Sequence, residues 1–325
     1  MVQRRALLGG GLTLALARPV LAQGDTAKYP DRPVRITVGF APGGSTDTVT
    51  RMLAPRLQAL LGQPVVVDNR PGGSGNVATG VTVRAAPDGY NLLMGTISAL
   101  AINPSLFDDL GFDPANDLTP ITLSVDIQNV LVVPVGRPWK SVADLIAAAK
   151  AQPDTLSYSS SGIGGAGHLA GALLDHMAGI RTVHVAYRGG GPAMTDLMGG
   201  KIDFSFASGP NALALIESGR LRALAVPMDK RMDQLPGVPT VAETLPGFSV
   251  ANWYALVGPK GMPAPIVKTL NEAMRKALED PEMRALLVAH GAVPTPCPPE
   301  QLGRFIREET LKWRPILQAT GTKPE

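Results

Sequence analysis

The chain has few of the residues and patterns that would identify several common classes of protein. It contains a single cysteine, Cys297, so it cannot form an internal disulfide, and no zinc-binding cysteine spacing surrounds this residue. After residue 22 it has no uncharged apolar run of 18 or more residues, the length that a membrane-spanning helix needs. We therefore expect neither a disulfide-stabilised scaffold nor a transmembrane helix in the body of the chain, and a soluble mature protein.

The body of the chain also lacks an excess of charge of either sign. The whole sequence has 30 basic and 27 acidic residues, for a formal net charge of +3. Three of the basic residues, Arg4, Arg5 and Arg18, lie within the first 22 residues, which contain no acid. The remaining chain has 27 residues of each sign, and this balance argues against an extended basic surface for nucleic acid.

The first 22 residues have the pattern of a targeting segment. Arg4 and Arg5 precede an apolar stretch at 6–17 that is too short to span a bilayer, and small residues follow at 20–22. We predict that residues 1–22 form a cleaved signal peptide and that the mature, periplasmic protein begins near Gln23. The paired arginines fit twin-arginine export, while a Sec signal is the simpler interpretation, so both routes stay open.

The rest of the sequence alternates short apolar strands with amphipathic helices, separated by turns rich in its 36 glycines and 30 prolines. A first series has predicted strands at 34–40, 64–69 and 90–95, with a helix at 47–61 and a short helix before the third strand. A second series begins with two strands near 120–135 and a helix capped by Ser141. It continues with predicted strands at 155–160, 182–187, 201–207 and 221–226. This alternation predicts an α/β fold with parallel strands and right-handed crossovers.

The end of the chain has no sheet of its own. We predict one long strand at 248–259, then helices over roughly 263–290 and 299–319. If these helices pack against the first α/β unit, the chain crosses between units twice, near residues 125 and 247, and two crossing strands form a hinge. The sequence thus predicts two α/β domains joined by a two-strand hinge, with bounds of 23–125 plus 248–325, and 126–247.

Glycine-rich loops follow four of the predicted strands, at 41–47, 70–76, 161–167 and 188–191. In open α/β sheets, ligands bind outside the carboxyl ends of the strands, where such loops lie. Gly43 and Gly44 allow close backbone approach, and the helix that follows presents free N–H groups and a partial positive charge. One such loop could be an ordinary capped turn, but several facing one cleft favour a site for a small anion.

The third loop contains a GxGxxG pattern at 162–167, between a strand and a helix. A dinucleotide site also needs an acid about 20 residues later, and none occurs at 183–188. Arg188 could meet a 2′-phosphate instead, which leaves an NADP-binding protein as an alternative. The hydroxyls of Ser159, Ser160 and Ser161 before the glycines fit an anion or water site better, and we predict no cofactor.

Sequence patterns of catalytic and metal sites are missing. Neither GxSxG nor GxxxxGK[ST] occurs. His168 and His176 lie on one predicted helix, roughly 12 Å apart along its axis, so they cannot share a metal ion. His168 could donate to an anionic ligand beside the third loop, or it could be structural. We predict no metal site and no enzyme; an exported hydrolase with a Ser/His pair is the remaining enzymatic alternative.

A series of short segments matches one known family in order and spacing. They are 29–33 (YPDRP), Phe40 with 42–47 (PGGSTD), 62–67 (GQPVVV), 69–72 (NRPG), 86–90 (APDGY), 102–104 (INP), 160–162 (SSG), 168–171 (HLAG), 187–189 (YRG) and 237–240 (GVPT). Over essentially its whole mature length, the chain resembles the solute-binding proteins of tripartite tricarboxylate transporters, the Bug family.

This resemblance implies a type II periplasmic-binding-protein fold whose two domains close around a carboxylate-bearing ligand held partly by ordered waters. It implies delivery to the membrane permease subunits of such a transporter, or in some cases to a sensor kinase, and we expect a monomer. The residues implied at the ligand are Phe40, Gly44, Ser45, Thr46 and Asp47 on the first domain, and Ser159, Ser160, Ser161, Gly165, His168, Ala186, Arg188 and Gly189 on the second. We further expect Thr96 and Ser98, within 96–98, and Ala207, within 205–211, to influence ligand choice.

Two positions depart from the pattern of this family. Ala186 stands where members often have proline, and Ala207 stands where they often have an acid after a strand. That acid would be a natural partner for an ammonium or hydroxyl group on the ligand. We hypothesise that its absence disfavours amino acids and leaves room for a neutral or bulkier distal group.

Overall fold

The computed structural model describes residues 29–323, and the predicted signal peptide lies outside them. The strands are β1 (Val34–Val38), β2 (Val65–Asn69), β3 (Asn91–Thr96), β4 (Leu118–Ile127), β5 (Asn129–Pro134), β6 (Ser157–Ser160), β7 (Val183–Ala186), β8 (Phe204–Ser208), β9 (Leu221–Ala225), β10 (Trp253–Pro259) and β11 (Ala292–Pro294). The α-helices are α1 (Ser45–Leu61), α2 (Asn76–Val83), α3 (Asn103–Leu106), α4 (Pro114–Asp117), α5 (Val142–Ala151), α6 (Ala166–Ala178), α7 (Gly190–Met198), α8 (Gly209–Glu217), α9 (Ala264–Glu279), α10 (Pro281–Ala289) and α11 (Pro299–Thr320).

The strands form two mixed sheets. The first has the order β11-β4-β10-β3-β1-β2 and the second the order β7-β6-β8-β5-β9. Strands β1, β2 and β3 pair in parallel in the first sheet, as do β6, β7 and β8 in the second. Strands β10 and β5 are antiparallel to their neighbours. Each sheet therefore has a parallel βα half, which confirms the α/β architecture predicted from the alternating pattern.

Three predicted elements have different bounds in the structure. The helix predicted at 263–290 is two helices, because Pro281 begins α10 and the carboxylate of Asp280 caps it by accepting from the Met283 N–H at 3.1 Å. The strand predicted from residue 248 begins only at Trp253, although Phe248 and Val250 are buried. Helix α1 begins at Ser45 and continues through Pro55.

The two sheets are joined where neighbouring stretches of chain pass between them. Only Gln128 separates β4 of the first sheet from β5 of the second, and the return passes through Asn252 just before β10. The Ile127 N–H donates to the Asn252 carbonyl at 2.8 Å, and the Asn252 amide donates to Asn129 Oδ1 at 3.0 Å. The two connections are thus bonded to each other, as a two-strand hinge requires.

The C-terminal helices return to the first sheet, as predicted. Helix α9 packs against α1 and β4, while α11 lies against β4 and also reaches α6 of the second unit. The buried carboxylate of Glu309 on α11 accepts from the indole N–H groups of Trp253 at 3.1 Å and Trp313 at 3.2 Å. These bonds satisfy two buried donors and fix α11 beside the strand that follows the second connection.

Helix α6 lies very close to strand β6, and we expect this packing to be sensitive to a single methyl group. A Cβ at Gly171 would lie 2.1 Å from Cε2 of Tyr158. We predict that Gly171→Ala lowers the free energy of unfolding by about 1–3 kcal/mol through overpacking. Urea denaturation measures this change.

Gly303→Ala in α11 is the matched control. A Cβ there would meet Pro120 Cγ at 3.4 Å, an ordinary contact, and alanine favours a helix by up to about 1 kcal/mol over glycine. Equal stability of Gly171→Ala and the wild type would contradict the packing described here.

Candidate ligand-binding site

A cavity lies between the two sheets, at the carboxyl ends of the parallel strands. Its volume is about 50 Å³, several times the roughly 10–15 Å³ that one buried water needs. The residues that line it are Phe40, Gly44, Ser45, Thr46, Thr96, Ser98, Asn129, Ser160, Ser161, Ala166, Gly167, Gly190, Ala193, Met194, Ser205, Phe206, Ala207, Ser208, Asn211, Asn252 and Tyr254. Both α/β units contribute, so a ligand held here would contact both.

The lining is polar but carries no carboxylate, ammonium, guanidinium or imidazole among residues 29–323. Its polar side chains are hydroxyls and carboxamides, and its apolar side chains include Phe40, Met194 and Phe206. Any charge on a ligand must therefore be met by dipoles and hydrogen bonds.

Helix N-termini provide the strongest dipoles at the cavity. Helices α1, α6 and α7 begin at lining residues, and none has a side chain that caps it, whereas Ser141 caps α5. Their first N–H groups have no acceptor within the helix. The lining residues at the starts of α6 and α7, Ala166, Gly167 and Gly190, are small, which brings the helix backbone close to the cavity.

Helix α8 differs from these three helices because its first two residues offer no free N–H group. Its Gly209 N–H already donates to the Gln128 carbonyl at 2.7 Å, and Pro210 has no N–H. The carboxamide of Asn211 lies over α7, since a Cβ at Gly190 would stand 1.8 Å from Asn211 Nδ2. Glycine at position 190 is thus what allows this amide to approach the start of α7.

Two hydroxyl groups of the first unit also lie at the cavity and take part in its hydrogen bonding. Thr96 is 4% exposed, and its Oγ1 has no hydrogen-bond partner within the described chain. The Tyr254 hydroxyl donates to Ser45 Oγ at 2.9 Å, and burial raises the pKa of Tyr254, which keeps it a donor. A buried hydroxyl without a partner costs free energy, so a ligand or water that bonds Thr96 is favoured.

The cavity is closed at its rim by contacts between the two units. The Ala41 N–H donates to the Arg188 carbonyl at 2.9 Å, and a Cβ at Gly44 would lie 3.5 Å from the Gly190 nitrogen. On another side, a Cβ at Gly162 would stand 2.8 Å from Ser74 Oγ. The structure is therefore a closed form, in which glycine backbones allow the close approach.

Nine of the predicted site residues line the cavity: Phe40, Gly44, Ser45, Thr46, Thr96, Ser98, Ser160, Ser161 and Ala207. The other seven, Asp47, Ser159, Gly165, His168, Ala186, Arg188 and Gly189, lie outside the lining. Gly165 and Gly189 are the N-caps of α6 and α7, so they set where those helices begin. Ser159 is fully buried, and Ala186 and Arg188 are exposed.

Asp47 belongs to the support of the first loop. Its carboxylate accepts at 2.9 Å from the Gly43 N–H, from Arg51 Nε and from Asn69 Nδ2. Burial acts to raise the pKa of Asp47, but these hydrogen bonds, that of Arg51 foremost, outweigh it and hold the pKa below its usual range. Asp47 is therefore ionised, and the hydrogen bonds of its carboxylate stabilise the first loop.

The loop at 70–76, expected to face the cleft, contacts the other unit at the rim and does not line the cavity. The sequence reasoning did not select Asn129, Asn252 or Tyr254, which lie at the two connections between sheets. Their position next to the predicted crossings could have indicated that they line the cavity, because a hinge between two domains borders the cleft. Ser205, Ser208 and Asn211 also line the cavity and lie close in sequence to the predicted site residue Ala207.

The hydrolase alternative requires a Ser/His pair together with a third group that orients the histidine. Ser160 Oγ lies 2.7 Å from His184 Nε2, but no carboxylate of the described chain hydrogen-bonds His184, so no triad is assembled. Residues 29–323 hold no cluster of three metal-ligating His, Cys, Asp or Glu side chains. Within the same residues, no helix is long and apolar enough to cross a membrane.

The rim contact at Gly189 predicts a substitution that opens the cleft. Gly189 has a φ of +147°, and a Cβ there would lie 3.2 Å from the Ala41 nitrogen. We expect Gly189→Ala to hold the units apart, so that small-angle scattering with small carboxylates added gives a larger radius of gyration than for the wild type. Gly200→Ala is the control, because its φ is +73° but no atom lies within 4 Å of its added Cβ. Identical scattering of all three proteins would contradict this role of the rim.

Comparisons with known proteins agree with the geometry. The model of the tripartite tricarboxylate transporter family receptor matches residues 49–322. Protein BugT of Bordetella pertussis is 38% identical over 313 residues, covering 96% of this chain and 95% of BugT. The R. palustris protein Rpa4515, solved with adipate, has a TM-score of 0.89 at 35% identity and covers 91% of this chain and 100% of its own.

MatC of Rhodopseudomonas palustris, solved with bound malate, has a TM-score of 0.84 at 31% identity, covering 89% of this chain and 100% of its own. The periplasmic binding protein BugD has a TM-score of 0.88 at 33% identity, covering 91% of this chain and 100% of its own, and its fold confirms the predicted periplasmic-binding-protein architecture. The chain belongs to the tripartite tricarboxylate transporter receptor family, the family of the Bug solute-binding proteins.

Proposed function

We propose that this protein captures a small carboxylate in the cavity between its two α/β units and delivers it to the membrane permease of a tripartite tricarboxylate transporter. The observation that carries the proposal is the convergence of the uncapped N-termini of α1, α6 and α7 on a cavity that no charged side chain of residues 29–323 lines. Each helix N-terminus carries roughly half a positive charge. Three of them, with the unpaired Thr96 hydroxyl, suit a carboxylate.

The size and chemistry of the cavity limit the ligand. A volume of about 50 Å³ fits a small molecule or a few waters, and apolar side chains such as Met194 and Phe206 suit methylene groups between polar ends. Adipate and malate, which the relatives bind, are carboxylates of this kind. The lining offers no acid to pair with an ammonium group, which supports a preference for ligands other than amino acids.

Capture requires the units to move apart and close. We propose that the domains are 23–125 plus 248–325 and 126–247, and that they rotate about the bonded connections at Gln128 and Asn252. Closure would bring the Arg188 and Gly189 loop onto Ala41 and exclude water from the ligand.

The partners follow from the transporter receptor family. Delivery to permease subunits is favoured over the sensor-kinase alternative, because the matching family is one of transporter receptors. We propose that the protein is periplasmic. Residues 1–22 would be its signal peptide, removed after export by the Sec or twin-arginine route. We further propose that the protein works as a monomer, without a cofactor.

Calorimetric titration with adipate, malate and aromatic carboxylates tests the proposal. We expect binding of at least one of them and a loss of about 1.5–3 kcal/mol for Thr96→Val, because this change removes a hydrogen bond to a charged group. Thr295→Val is the matched control, since Thr295 Oγ1 also has no partner in the described chain but lies outside the cavity. Absence of binding across the panel, or equal losses in both variants, would refute this assignment of the site.

The residue at position 207 provides a test of ligand choice. Ala207 is buried and lines the cavity. We expect Ala207→Asp to raise the affinity for glutamate or aspartate relative to malate, because the new carboxylate can pair with the ammonium group. Ala207→Asn controls for size without charge. Tight binding of glutamate or aspartate by the wild type, without affinity for simple or aromatic carboxylates, would overturn the hypothesis.

A further inference from the structure

The segment 161–165 forms one wall of the cavity and also part of the contact between the units; we name it the closing loop. Ser161 lines the cavity. A Cβ at Gly162 would lie 2.8 Å from Ser74 Oγ, and one at Gly164 would lie 2.9 Å from Leu106 Cδ2. The closing loop is therefore packed against the first unit, and its conformation affects both the ligand and the closed form.

Two histidines outside the cavity hold the closing loop at its two ends. The Gly164 N–H donates to His168 Nδ1 at 3.0 Å. At the other end, Ser160 Oγ lies 2.7 Å from His184 Nε2, donates to the Gly162 carbonyl at 2.9 Å and accepts from the Gly162 N–H at 3.2 Å. Each histidine is thus bonded to a residue next to or within the closing loop.

The two imidazole rings pack against each other. Their centroids are 3.9 Å apart with an interplanar angle of 12°, and the Tyr158 ring lies 4.9 Å from that of His184. His168 is buried. Two cations could not be accommodated at this separation in a buried place.

The hydrogen bond from Gly164 requires the neutral form of His168, because a protonated Nδ1 cannot accept. His168 also lies in the first turn of α6, where a positive charge opposes the helix dipole. Burial lowers the pKa of His168 to about 4, and burial together with the neighbouring His168 lowers that of His184 to about 3.

The charged and titratable groups around the pair are Asp154, Tyr158, Asp175, His176, Arg181 and Lys323. Arg181 pairs with Asp154 at 2.7 Å, and the Asp175 carboxylate accepts from the N–H and hydroxyl of Thr182. Within residues 29–323, neither imidazole ring hydrogen-bonds any of these groups. No carboxylate bonded to either ring therefore offsets a charge there within the described residues.

We propose that His168 and His184 are positioning residues for ligand capture: as a neutral stacked pair they fix the closing loop, and acidification releases it. This inference rests on the proposed function, since it assigns the regulation of the same cavity. The pair acts through Ser160 and Gly164, without contact to the ligand.

The direction of the pH effect follows from the lowered pKa values. A histidine that is neutral in the closed form and has its ordinary pKa of 6.5 when the loop is released stabilises closure fully above pH 6.5. That contribution is lost as the pH falls from 6.5 toward about 4. For one histidine that becomes fully solvated when the loop is released, the equilibrium constant for closure falls by up to about tenfold at pH 5.5.

The test compares the wild type with a variant that keeps the hydrogen bonds but cannot titrate. In His168→Asn, Oδ1 takes the place of Nδ1, and in His184→Gln, the carboxamide reaches the place of Nε2. Adipate and malate affinities are measured at pH 7.5 and 5.5 for the wild type, both single variants and the double variant. His176→Gln on the exposed side of α6 is the control.

We expect affinity to fall on acidification several-fold more in the wild type and in His176→Gln than in the double variant. Protonation of the ligand changes the affinity of every protein by the same factor, so it cancels when the pH dependence of the wild type is compared with that of a variant. Amide hydrogen exchange of Gly162–Gly165, corrected for intrinsic rate and measured without ligand, should accelerate at pH 5.5 in the wild type but not in the double variant.

Parallel pH profiles and exchange rates for the wild type and the double variant, or for both single variants if the double variant does not fold, would overturn the inference. Failure to bind adipate or malate at either pH would count against the proposed ligand class instead. In that case, hydrogen exchange still decides whether the histidines hold the loop.

Discussion

The first-turn N–H groups of α1 and α6 are buried donors, and the residues that the structure describes supply no side-chain cap for these helices or for α7. Buried donors need an acceptor, so the cavity is built to receive one from outside the chain. The remaining features follow from this constraint. Glycines at positions 167 and 190 bring the helix backbone to the cavity, and since no charged residue of the described chain lines it, the helix dipoles determine which ligand charge is favoured.

Contact between the two units strengthens the effect of the partial positive charges at the helix N-termini. The Ala41 and Arg188 backbones bond across the rim, so the two units meet beside the cavity, and electrostatic interactions are stronger where the local dielectric is lower than in water. Glycines at the rim permit contact between backbones, and the same loops carry the helix starts. The cavity lining and the contacts between the units therefore share one set of loops, and the closing loop is bonded to His168 through Gly164 and adjoins Ser160, which is bonded to His184.

Much of this organisation could be predicted from the sequence. The alternation of strands and helices predicted two α/β units, and the glycine-rich loops predicted where the cavity lies, because parallel strands place such loops at one edge of the sheet. The directions of individual side chains could not be predicted. Asp47 turns to its own loop to meet Gly43 and Arg51, and His168 turns behind its loop to meet Gly164. Asn129, Asn252 and Tyr254 reach the cavity only because the two connections lie side by side.

The sequence by itself determined most of the elements and the two-unit architecture, and it predicted a site suited to an anion, since periodicity, turn glycines and helix starts are local properties of the chain. The ligand class rested on the family resemblance. The tertiary structure decided that the form is closed, that the lining carries no charge in the described chain, and that a stacked histidine pair lies behind Ser160. These properties depend on contacts between residues far apart in sequence, such as Ala41 with Arg188, and no local pattern encodes which side chain meets which across the cleft.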